Sequence, residues 1–386
     1  MEPTNFPGRA TPDHPTLVAV SKTFDRDRLL QARRLAGLTK RAVADNTGVS
    51  PAAVGQWEAG VAAPKAMHVA RLAELLDVQP AFFAAGRRYL RLDTSDAHFR
   101  SLRSTPAALR AKAVAFTEQV WELVQALEAR IELPPVDVPG FAGGEVHPGS
   151  WAEDPAAAAR ELREHWQLGQ GPIPRLVRTM ERHGLVVTLV PFAGNATKTI
   201  DAFSTSHLPR PIVVLTPDRA DDVYRHRFTA AHELGHLMLH PDTAPGDPVH
   251  EKEADFFAAE LLTPRDQIVP QLPTRMDLGE LERLGQQWGV AVESLVYRCH
   301  EVGQITDSTY RRTFQRLHQL RHVGLFDRES VTGYPGEIPT LISKAFDLAE
   351  EHGLTLGELA DELKITRARL RLLLGQPDTR PTLRLV

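Results

Sequence analysis

Residues 227–240 read RFTAAHELGHLMLH. The pattern predicts a helix over 222–240, on which His232 and His236, four apart, stand one turn apart on one face. Two ring nitrogens presented in that way can hold one ion. Glu233 lies beside them, in reach of a water whose pKa zinc would lower towards ~7, and would take that water's proton as it attacks a carbonyl. The five-letter pattern HExxH turns up by chance, and its surroundings raise it here. The flanks form helix, Gly235 permits close backbone approach, and Leu234, Leu237, Met238 and Leu239 are apolar.

A zinc hydrolase site needs a third protein ligand and an open position. The candidates lie in residues 250–264, HEKEADFFAAELLTP, on a helix predicted over 250–262. Glu251 and Asp255 are i and i+4 and share a face, whereas Glu253 points ~200° away from Glu251. Only one of the two glutamates can therefore face the ion. The spacing favours Glu251, with Asp255 hydrogen-bonding a ligand histidine; Glu253 is the alternative. His240, a further i+4 step, reads as a C-terminal cap on a helix stopped by Pro241, with ligation as its other reading. His226 and His250 read as surface residues or as partners of ligands, and Cys299 as a small core residue. An electrophile for the developing oxyanion is open among Tyr224, Arg225, Arg227, Tyr297 and Arg298.

These two segments resemble the ImmA/IrrE family of intracellular zinc metallopeptidases. That family shares the HExxH helix and a following E-x-x-A-[DN]-x-F-A-x-x-L-L-x-P segment, here Glu251 to Pro264, and the likeness runs over roughly residues 150–320. The resemblance implies one zinc ion held by His232, His236 and Glu251, with Glu233 as base. It also implies a protein substrate of the helix-turn-helix repressor kind, cleaved to release genes of mobile elements or stress responses.

Residues 24–86 resemble the lambda-repressor-like, or XRE, helix-turn-helix, carried by LAGLTKRAVADNTGVS and the following QWEAG. Thr39 and Ser50 fall where N-caps belong, Pro51 at a first helical position, and Gly37, Gly48 and Gly60 where helices end. Five short helices in some 60 residues are expected. Lys40 and Arg41 open the bracing helix and are placed to grip phosphate, and the recognition helix runs from Ser50 to Ala59. Ser50 and Gln56 are its only polar residues before Trp57 and Glu58, a poor set for reading bases. The module therefore binds DNA through phosphate contacts or binds protein, and Glu58 and Gly60 read as structural.

The 386-residue length sets an expectation of two or three domains. With 42% hydrophobic and 24% charged residues, a mostly disordered chain is excluded. No apolar run approaches the ~18 residues that span a bilayer. The first twenty residues lack the apolar core of a secretory signal, and Cys299 has no second cysteine to bridge, so the chain reads as cytoplasmic. Residues 21–90 carry eleven Lys/Arg against six Asp/Glu, a local +5 in a chain of net −4, which restricts any nucleic-acid contact to that part.

The expected architecture is multidomain and mainly α. A flexible arm (1–20) precedes an all-α five-helix helix-turn-helix domain (21–90) and a helical connector with a Pro/Gly linker (91–150). A central α+β zincin-like peptidase with a small sheet (151–305) follows, and then a C-terminal helical, helix-turn-helix-like tail (306–386). The amphipathic stretch 106–131 reads as a connector packed on a neighbouring domain, with dimerisation as its second reading. Three functions compete. The first is a zinc endopeptidase, the second a DNA-binding regulator whose peptidase-like domain is a sensor, and the third a defence component in which the zinc domain only scaffolds a partner.

Overall fold

Capping chemistry sets most of the element boundaries. The computed structural model describes residues 16–87, 90–92, 98–99, 106–142, 145–146, 149, 153–190, 202–216, 222–240, 247–326 and 329–376. The first helices are α1 (Leu17–Lys22), α2 (Arg26–Ala36), α3 (Lys40–Thr47), α4 (Pro51–Ala59), α5 (Ala66–Leu75) and the long α6 (Ala107–Glu128). The central helices are α7 (Pro155–His165), α8 (Leu176–Arg182), α9 (Val223–Leu239), α10 (Pro248–Leu262) and α11 (Arg265–Ile268). The last are α12 (Leu278–Trp288), α13 (Val292–Glu301), α14 (Asp307–His322), α15 (Leu341–Glu351), α16 (Leu356–Leu363) and α17 (Arg367–Leu373). The strands are β1 (His98–Phe99), β2 (Phe141–Ala142), β3 (Glu145–Val146), β4 (Val186–Leu189), β5 (Ala202–Thr205) and β6 (Ile212–Leu215).

The chain divides into two compact units. One joins Met1–Leu90 with Gly353–Leu373 and Pro377–Val386. In it, the Thr39 and Ser50 side chains accept from Ala42 N and Ala53 N, Pro51 opens α4, and Gly37, Gly48 and Gly60 close their helices in the left-handed region. Glu58 joins three helices: it accepts from Arg33 of α2 and pairs with Lys40 Nζ of α3 at 3.3 Å.

Two expectations change here. Residues 1–15 of the expected arm lie outside the described residues, but Leu17–Lys22 is helical. Thr16 caps it, Val20 is buried, and Ser21 Oγ donates to Pro64 O at 2.6 Å. The tail expected over 306–386 is divided after residue 352, and α16 and α17 join the helix-turn-helix unit. The physical reason is a set of specific bonds. Gln79 Nε2 donates to Asp361 Oδ1 at 2.7 Å, Thr366 Oγ1 to Asp77 Oδ1 at 2.9 Å, and Arg369 Nη2 to Leu76 O at 3.1 Å. Residues 377–386 lie outside the described part.

The second unit spans Arg91–His352 with Leu374–Gln376. Its sheet has the order β1-β5-β6-β4, with β4 parallel and β5 antiparallel to β6. Every residue of β5 and β6 is buried, as suits strands covered on both faces. Leu234, Leu237 and Met238 of α9 share one apolar core with Phe257, Ala258 and Leu261 of α10 and with Val213 and Leu215 of β6. Cys299 is part of that core, and burial pushes its thiol up to about 11, so it is an inert apolar group.

Of α6, Val114, Val120, Val124 and Leu127 are each no more than 1% exposed within the single chain. These apolar side chains pack internally. Part of the Pro/Gly linker expected within residues 91–150 is also built in. Asp137 N donates to His183 O at 3.0 Å, Trp166 Nε1 donates to Asp137 O at 2.7 Å, and β2 pairs with β3. Among the described residues, no helix is long and apolar enough to cross a membrane.

At Gly235, α9 and α10 come close together. A Cβ there would sit 3.0 Å from Phe257 Cδ1 and 3.3 Å from Ala254 Cα, and Phe257 is fully buried and cannot swing away. Gly235→Val is therefore expected to cost about 2 kcal/mol in urea unfolding, the ordinary penalty of overpacking. It should also weaken metal uptake, because it displaces the helix that carries Glu251. An unchanged unfolding midpoint would show that the two helices separate freely.

Candidate metal centre

Asp222 starts α9, its side chain accepting from Arg225 N at 3.2 Å, and His240 ends it. Asp247 caps α10, with Pro248 in the first turn. With both helix starts set, the periodicity of α9 points His232, Glu233 and His236 inward, and all three are buried.

His232 Nε2 and His236 Nε2 are 3.0 Å apart. Glu251 brings its two carboxylate oxygens to 3.5 Å and 3.6 Å of these same nitrogens. His232, His236 and Glu251 thus offer ligand atoms that all lie within 4.8 Å of one another, a group able to hold a metal ion. The donor set fits such an ion. His232 Nδ1 lies 2.8 Å from Asp255 Oδ1, and a carboxylate only accepts, so Nδ1 carries the proton and Nε2 turns a lone pair into the centre. Two imidazoles and one carboxylate suit a borderline divalent metal such as zinc and leave further positions for water or substrate.

Glu233 is tied to the sheet. Ser204 Oγ of β5 donates to Glu233 Oε2 at 2.8 Å, and both residues are fully buried. Sequence reasoning missed Ser204, because β5 meets α9 only through tertiary packing. Glu253, the alternative ligand, instead meets His240, with His240 Nε2 2.8 Å from Glu253 Oε2. His240 does stand at the C-cap, but its ring turns inward and is 3% exposed, so it does not serve as a surface cap of the helix carbonyls. His250 packs its ring 4.4 Å from that of His240. These three residues form a second cluster of metal-ligating side chains.

The remaining candidates separate clearly. Arg227 donates to Gly289 O at 2.9 Å and Ile173 O at 2.6 Å and pairs with Glu337. Arg298 donates to Glu301 Oε2 at 3.0 Å and Thr263 O at 3.2 Å. Both are framework residues, while Tyr297 is 55% exposed. In the helix-turn-helix, Ser50 Oγ is spent as an N-cap and Lys40 leans on Glu58, whereas Arg41 and Gln56 face solvent.

His226, expected at the surface or beside a ligand, is buried, and its Nε2 lies 3.0 Å from Glu337 O. Burial lowers its pKa below the ordinary imidazole value, so the folded state holds it neutral. The unfolded chain takes up a proton below pH about 6.5 and the folded one resists, so stability falls as the pH drops through that value. His226→Gln keeps a donor and removes the titration. Between pH 6.5 and 5 the wild type is expected to lose up to roughly 1.4 kcal/mol per pH unit more than this variant in urea unfolding. Parallel pH profiles would refute it.

The fold and the cluster define a metallopeptidase-type domain joined to a helix-turn-helix. Residues 180–300 match the family model of a peptidase described as the IrrE N-terminal-like domain, and residues 29–83 match the model described as helix-turn-helix. Both matches fit an ImmA/IrrE plus XRE-type helix-turn-helix architecture. No curated protein gives a significant match to the chain.

Proposed function

We propose that this chain is a cytoplasmic zinc endopeptidase that cleaves a regulatory protein of the helix-turn-helix repressor class and so releases stress-response or mobile-element genes. The observation that carries the reading is the convergence of His232 Nε2, His236 Nε2 and both Glu251 oxygens beside a buried Glu233. His232, His236 and Glu251 would hold the zinc, with Asp255 orienting His232. A zinc ion there supplies Lewis acidity towards water and the scissile carbonyl. Glu233 takes the proton of the attacking water and passes it to the leaving amine. Ser204 keeps one carboxylate oxygen of Glu233 engaged, which fixes the rotamer in which the other is offered. The second domain brings the peptidase to DNA or to a partner of its own fold. Lys40, Arg41, Ser50 and Gln56 are all exposed and make up the contact set, although Lys40 also pairs with Glu58 and the Ser50 hydroxyl caps its helix.

N-terminal peptide profiling of host cells expressing wild type or Glu233→Gln tests this. A new protein N-terminus confined to the wild type is the expected result and identifies the substrate. Identical profiles, with zinc bound in both proteins, would favour the second reading, a DNA-binding regulator with a sensor domain. The capped bracing and recognition helices, α3 and α4, support that alternative, which requires salt-dependent binding to one operator without proteolysis.

A further inference from the structure

The second cluster, His240, His250 and Glu253, has the residues of another metal site. Proton positions argue for a different role. His240 Nε2 stands 2.8 Å from Glu253 Oε2, so Nε2 carries the proton that the carboxylate accepts. A neutral imidazole carries one proton, so with Nε2 protonated towards Glu253 the His240 Nδ1 is a lone pair. That Nδ1 lies 3.1 Å from His236 Nδ1, a contact that holds one proton and no more. The proton therefore belongs to His236 Nδ1, and His236 Nε2 is left as a lone pair aimed at His232 Nε2, 3.0 Å away.

We infer that Glu253 and His240 form a relay that fixes the His236 tautomer and ring orientation for metal binding, doing through one intervening ring what Asp255 does directly for His232. The inference rests on the metal-centre reading of the proposed function. Both are positioning residues, and neither is a ligand. Helix α10 then supplies three carboxylates with three tasks within EKEAD: Glu251 faces the ion, Glu253 sets His236 through His240, and Asp255 sets His232. The relay also sets the metal count. An ion on His240 Nε2 would move that ring's proton to Nδ1, where it would meet the Nδ1 proton of His236 at 3.1 Å. Among the described residues, the two clusters then hold one ion between them.

The test uses the full chain with zinc as the probe. In histidine-15N-labelled wild type loaded with zinc, His240 is expected as the Nε2–H tautomer at one zinc per chain. Chelator competition is expected to give a 10–100-fold weaker zinc affinity for Glu253→Ala and His240→Phe. Glu253→Gln, whose amide oxygen still accepts the bond, is expected to lose less than Glu253→Ala. His240 as the Nδ1–H tautomer, a second tightly held zinc, or unchanged affinity in a folded Glu253→Ala overturns the relay alone. A wild type that takes up no zinc overturns the metal-centre reading as well. The tautomer is read on the wild type, so a variant that misfolds does not remove the test.

Discussion

Glu233→Gln is expected to lower peptide hydrolysis about 10²–10⁴-fold, the usual contribution of a positioned general base. The substitution is nearly isosteric, and the amide oxygen can still accept the bond from Ser204 Oγ, which spans 2.8 Å in the wild type. What the amide cannot do is take a proton. His232, His236 and Glu251 are untouched, so metal content and unfolding midpoint should match the wild type. Steady-state cleavage of the substrate found by profiling, measured beside metal content, separates the cases. Retained activity would remove Glu233 from the chemistry, and lost activity with lost metal would reassign it to holding the centre together.

The second large effect concerns the metal. His232 Nε2 and His236 Nε2 converge to 3.0 Å with the Glu251 carboxylate close by, a donor set that suits a cation. A zinc ion held by this folded geometry and not by the unfolded chain, at a free concentration 1,000 times Kd, would add about 4 kcal/mol to stability. A strong chelator is expected to lower the wild-type thermal midpoint accordingly. Glu251→Ala and His236→Ala should start from the lower midpoint and show no further response. A chelator-sensitive Glu251→Ala would move the third ligand elsewhere on α10.

Much of this molecule is written in short-range signals. The i, i+4 spacing puts His232 and His236 on one helix face, and the same arithmetic puts Glu251 and Asp255 together and Glu253 apart. Ser50-Pro51 and Gly60 delimit the recognition helix through bonds that reach no further than three or four residues. The helices predicted over 222–240 and 250–262 follow from periodicity in the same way and are found as α9 and α10. These features are legible because a side chain and its partner lie within one turn.

Other features have partners far along the chain. Ser204 reaches Glu233 only because β5 lies under α9, and Glu253 finds His240 only because Gly235 lets α10 close on α9. Asp361 and Gln79, 282 residues apart, bond because α16 packs in the helix-turn-helix unit, where a local reading sees a separate tail. Local propensity and spacing determined which residues share a face and where helices start and stop. Which faces meet was decided by the packing of whole elements, because that depends on side-chain shape and chain topology summed over the unit rather than on any one stretch.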